Sequence, residues 1–274
     1  MRIFLCNEVV RELDFAGQCR FARATGYDGL EIAPFTLAGD PGALTAAAIR
    51  EFRAIAEGEG VEIAGLHWLL ASPAGMSITS SEPSVAERTQ QFGAKLVDLC
   101  AQLGGRYLVH GSPAQRQFEP GREAEGRKAG LDYFSAMARQ AAQHGLTYII
   151  EPLARADTAY VVSVDEAVSI IETIGEASLS TMIDCYAAAS NGEDIPALLD
   201  KWVPAGAVSH IHFNDDNKRG PGEGGTNFRA ILDKLAALDY GGGCAVEPFV
   251  FEPDGPSCAA RAIGYLRGLE QSRP

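Results

Sequence analysis

Short apolar runs and longer stretches of helical period alternate along the whole chain. Strand-like runs fall at residues 2–6, 29–32, 62–67, 107–109, 147–151, 179–184, 207–213 and 243–247. Between them, apolar residues recur at helical spacing over 14–26, 43–59, 85–103, 123–144, 163–174, 228–238 and 257–269, with a short helical piece near 195–201. Phe15, Cys19 and Ala22 share one face of the first of these helices, and Gly26, Gly60, Gly104 and Gly145 stand where helices should stop. Ser163 and Glu166 form a Ser-x-x-Glu capping box. Eight βα units follow one another with no linker, low-complexity tract or composition break. This rhythm predicts an α/β fold, a single (β/α)8 TIM barrel in one domain spanning 1–274.

Composition narrows the class. With 46% hydrophobic and 22% charged residues the chain can bury a sizeable core. It has no apolar run long enough to span a membrane, and its N-terminus is too short in apolar residues for a signal peptide, so a cytoplasmic protein with no membrane partner is expected. A net charge of −13 repels phosphate backbones and argues against nucleic acid as a partner. The six cysteines are scattered with no CxxC and are expected to be free thiols.

In such a barrel, chemistry sits at the C-terminal strand ends. Those ends carry Glu31, His67, His110, Glu151, Asp184, His212 and Glu247. The last four recur about once per βα unit and are all metal-ligating types. Three carboxylates and one imidazole make a hard donor set, which favours Mn²⁺, then Mg²⁺, with Co²⁺ and Zn²⁺ also accommodated. His67, Trp68, His110 and Glu31 are read as substrate-facing, Trp68 as a ring that stacks on the substrate. His210 points the same way as His212 but deeper, and is expected to be a packed or supporting histidine. The Gly-rich segment 220–225 is expected to act as a mobile lid.

The segments EPLARAD (151–157), MIDCYA (182–187), HIHFND with PGEG (210–224) and VEPF (246–249) resemble the xylose-isomerase-like TIM-barrel superfamily, most closely its sugar isomerase and ketose 3-epimerase branch. The resemblance runs over nearly the whole chain. It implies that Glu151, Asp184, His212 and Glu247 hold the metal. It also implies that Glu151 and Glu247 act as acid and base in proton abstraction alpha to a carbonyl, through a cis-enediolate. The substrate implied is an unphosphorylated ketose or related polyol ketone. Asp157 stands where that branch has a supporting Glu, and Lys218, with Arg219 beside it, where it has a substrate-binding Arg. Ala187 departs from the branch, which has a substrate-binding His there. A keto-inositol dehydratase or another lyase using the same metal site is therefore the alternative. A non-catalytic sugar-binding barrel and the superfamily's endonuclease branch rank below it: the loop after His212 lacks that branch's Asp-Arg-His element. By analogy a homodimer or tetramer is expected.

Overall fold

In the computed structural model, which describes residues 1–272, eight parallel strands close into a barrel in sequence order. The strands are β1 (Arg2–Cys6), β2 (Gly29–Ile32), β3 (Glu62–Leu66), β4 (Tyr107–His110), β5 (Thr147–Ile150), β6 (Leu179–Asp184), β7 (Val208–Phe213) and β8 (Gly243–Val246). The helices are α1 (Phe15–Thr25), α2 (Ala46–Glu59), α3 (Pro83–Leu103), α4 (Glu123–Gln143), α5 (Val164–Ile174), α6 (Cys185–Ser190), α7 (Ile195–Trp202), α8 (Phe228–Ala237) and α9 (Gly255–Gln271). Closure pairs Arg2 with Gly243 and Leu5 with Val246. Strands buried on both faces need continuous apolar character, and Ile3 to Cys6 are all fully buried.

Local chemistry sets the helix ends. Asp14 accepts from Gly17 N at 2.7 Å and opens α1, which Gly26 closes in the left-handed conformation at φ 94°. Ser163 accepts from Glu166 N at 3.1 Å, while Glu166 reaches back to Val162 N at 2.9 Å. Pro83, preset for a first helical turn, starts α3 ahead of the expected Val85. The piece expected near 195–201 is preceded by a further short helix, α6, because Asp184 accepts from Ala187 N at 2.6 Å and so ends β6 and starts a turn at once.

His67, Glu151 and Glu247 lie one residue past the ends of β3, β5 and β8. Their amides still donate to the neighbouring strands, at Ile32 O (3.0 Å), His110 O (3.2 Å) and Phe213 O (3.1 Å), so the barrel fixes their backbones. All six cysteines are free and buried, where a thiol packs as a small hydrophobe. No helix among the described residues is long and apolar enough to cross a membrane.

Candidate active site

Glu151, Asp184, His212 and Glu247 converge at the C-terminal mouth, with one ligand atom from each lying within 4.8 Å of all the others. All four are buried. His212 turns Nδ1 towards Glu247 Oε2 at 2.8 Å and Glu151 Oε1 at 3.5 Å, and Nε2 towards Glu31 Oε1 at 2.8 Å. Glu247 is gripped on its other oxygen by His67 Nδ1 at 3.0 Å, and His67 Nε2 lies 3.0 Å from Glu8 Oε2. Asn214 donates to Asp184 Oδ2 at 2.6 Å and to the Glu247 carbonyl at 3.1 Å, while its own oxygen accepts from Tyr186 N at 2.7 Å. Below Glu151, the buried Arg116 donates to the Glu151 carbonyl at 2.7 Å and to the His110 carbonyl. Gly111 sits against the Glu151 carboxylate: a Cβ there would overlap Oε2 and approach Cδ to 2.7 Å.

Burial, with the repulsion of Glu151 and Glu247, pushes Asp184 up to about 8. Burial also raises Glu151, with Glu247 adding to the shift against the opposing pull of His212. Burial would lift Glu247 too, but the charges and hydrogen bonds of His212 and His67 hold it at about 2. His67 is pushed up to about 10: burial opposes this, and Glu8, Glu247 and Glu31 overcome it. Three carboxylates and one imidazole nitrogen are thus confined in a space where two of the acids resist ionising. A divalent cation relieves that repulsion, and three oxygens with one nitrogen suit a hard ion. The residues fit the metal they were expected to hold, and Glu31 on the far side of His212 is the kind of partner that fixes a ligating histidine's tautomer and ring orientation.

The cluster floors a cavity of about 190 Å³ whose walls include Trp68, Asp157, Tyr186, Ala187, Lys218 and Phe249. Trp68 and Tyr186 both meet Phe249 edge-on, with centroids 6.5 and 6.0 Å apart, and Lys218 Nζ rides 4.8 Å from the centre of the Tyr186 ring. Four residues expected to face substrate do not border this cavity. Glu31 is fully buried beneath it, where His210 Nε2 (2.9 Å), His212 and the Tyr107 hydroxyl (2.6 Å) converge on its carboxylate. His67 is buried behind Glu247. His110 stands three positions from the inward-facing Tyr107, so strand alternation turns it outward. It hydrogen-bonds Tyr148 at 2.8 Å and packs on Tyr133 and Phe134 of α4. Arg219 is drawn away from the cavity by Glu223 and Glu252.

The expected lid is instead tied down. Asp215 accepts from Gly222 N (3.0 Å), Gly224 N (2.8 Å), Thr226 N (2.9 Å) and Asp216 N (3.0 Å), and the Lys218 carbonyl accepts from Phe249 N and Val250 N. Gly111, Arg116, Asn214, Glu8 and Tyr186 were not singled out in the sequence. The HGSP at 110–113 and the NDD at 214–216, each immediately after a strand, were the available signals for Gly111 and Asn214.

The family described as xylose isomerase-like TIM barrel matches residues 19–269. A Streptomyces coelicolor protein named as a candidate hydroxypyruvate isomerase is 26% identical over 223 residues, covering 77% of this chain and 76% of its own length. A D-psicose 3-epimerase of Ruminiclostridium cellulolyticum is 22% identical over 245 residues, covering 87% of this chain and 80% of its own. The crystal structure of a 3-keto-D-glucoside 4-epimerase from E. coli is similar with a TM-score of 0.82 at 19% identity, covering 98% of this chain and 99% of that one.

Proposed function

The chain belongs to the xylose isomerase-like TIM barrel family, and on that premise we propose that it is a divalent-metal-dependent isomerase or epimerase of an unphosphorylated ketose or related polyol ketone. The observation that carries this reading is the pair of buried glutamates, Glu151 and Glu247, lining one small cavity together with Asp184 while His212 stands directly behind them. Glu151, Asp184, His212 and Glu247 would hold the cation, which would supply Lewis-acid polarisation of a substrate carbonyl.

The protein's own residues do the rest. His67 and His212 hold the Glu247 carboxylate in place at the cavity, where it accepts the proton from the carbon alpha to the carbonyl. Glu151 lines the same cavity and returns a proton to the resulting enediolate from its own side. Protonation at the same carbon from the opposite face inverts it; protonation at the former carbonyl carbon, with transfer between the oxygens, gives the isomer. The aromatic walls limit the water that reaches the intermediate.

Names of the relatives support isomerase or epimerase chemistry on small ketones, and the Mn²⁺ preference follows from the donor set. The test is deuterium incorporation from D₂O into a panel of ketoses with Mn²⁺ present, alongside metal content. Glu151→Gln and Glu247→Gln should each abolish exchange; exchange that survives in either sinks the acid/base assignment. Ala187, which leaves the cavity without an imidazole there, favours a lyase as second reading, and mass spectrometry showing loss of water would identify it.

A further inference from the structure

A second cavity of about 570 Å³ opens beside the first and shares two of its walls, Trp68 and Phe249. Phe35 and Phe251, both half-buried, flank it, and the buried Glu8 and exposed Arg11 bring charge to its lining. Phe249 is 37% exposed, a large apolar side chain left uncovered at the mouth. Nothing in the proposed reaction uses this space.

We propose that it is the subsite for a second ring of the substrate, so that the enzyme acts on a ketose unit extended by a glycosidic or similar-sized ring. This rests on the reading of the reaction site given above. The reaction cavity is small and the edge-to-face Trp68–Phe249 pair is the wall it shares with the second cavity, so a substrate extended past those rings enters that space. What lies beyond them has the chemistry of a sugar site. Flat aromatic faces take the apolar C–H face of a pyranose, and a carboxylate and a guanidinium accept from and donate to its hydroxyls. A wholly apolar group would cover the Arg11 guanidinium without giving it a partner. A phosphate would face the Glu8 carboxylate. A ring placed here would also cover Phe249, the one exposed aromatic of the four.

Isothermal titration of the Mn²⁺-loaded protein with fructose, lactulose and isomaltulose tests the inference, because the two disaccharides carry the same ketose unit plus one ring. At least one disaccharide should bind about tenfold tighter than fructose, the scale of one stacked ring. In Phe35→Ala/Phe251→Ala that ratio should fall towards one, with thermal midpoint and metal content checked to show that the variant is folded. No disaccharide advantage in the wild type, including failure of every sugar to bind, overturns the proposal. So does an advantage that persists in the double variant, or a double variant that changes oligomeric state and leaves the ratio alone. Disaccharide binding without deuterium exchange would sink the reaction proposed above and leave the subsite standing.

Discussion

Gly111→Ala tests the site through a residue that carries no functional group. The backbone at Gly111 is not in the left-handed region, so the glycine is there for space. An alanine Cβ would stand 2.7 Å from Glu151 Cδ and overlap Oε2. Restoring an ordinary contact of ~3.5 Å moves the carboxylate carbon by about 0.8 Å and its nearer oxygen further. Displacement of a reacting group by ~1 Å costs on the order of 10²-fold in rate. Overpacking adds about 1–3 kcal/mol of lost stability, well inside the ~5–15 kcal/mol of a typical folded domain. The variant should therefore fold, melt several degrees lower, and lose about 10²-fold in deuterium exchange. The assay is proton NMR of a ketose in D₂O with added Mn²⁺, with circular dichroism as the folding check. Exchange indistinguishable from wild type in a folded Gly111→Ala protein would refute the placement of Glu151 as a reacting group.

Two further outcomes follow from the site. Glu31→Gln leaves all four ligands in place but weakens the grip on His212 Nε2, so metal affinity should drop by about 10–100-fold, read by competition with a chromophoric chelator; unchanged affinity would remove Glu31 from the site. The metal-free protein should lose stability as pH rises. Asp184, lifted from 3.8 to about 8, holds a proton in the folded but not the unfolded chain across that window, and His67, lifted from 6.5 to about 10, contributes stability that is lost towards 10. Because burial holds His110 and His210 below the usual imidazole range and so opposes this trend up to about pH 6.5, the chelator-treated protein should melt progressively lower from about pH 7 to about pH 9, and Mn²⁺ should flatten the profile because the cation takes the place of the Asp184 proton. A metal-free melting profile that rises over that interval would contradict the electrostatic account.

The barrel was legible because period and breaker residues are local signals. Asp14, Ser163 and the stop glycines mark their helix ends within a turn of where they fall. The four converging ligand positions were legible because equivalent strand ends recur at unit spacing. What failed was the inference from strand end to cavity. His110 sits at a strand end, yet its parity sends it outward, and parity depends on where the strand starts relative to its neighbours. Glu31 and His67 point inward but stop one layer short, beneath side chains that belong to other strands. Arg116 and Asn214 act through carbonyls and amides of residues far along the chain, which no spacing rule reveals. The loop at 220–225 is glycine-rich because Asp215 needs close amide approach, and a Cβ at Gly224 would collide with Asp215 itself; composition alone reads the same as flexibility.

That Asp215 knot has a consequence for how such a protein can change. The shape of the loop is written into one carboxylate and the amides it gathers, and those amides carry no side-chain information. The Arg219 side chain, which projects from the loop towards Glu252, can be exchanged without unpicking the fold that presents it, whereas Lys218, at φ 68°, exchanges best for residues that tolerate the left-handed conformation. The segment is in effect a replaceable reading head set on a fixed reactor. Drift in substrate preference, whether by natural divergence or in a selection experiment, should accumulate there and in the aromatic rim, with Asp215 itself held constant.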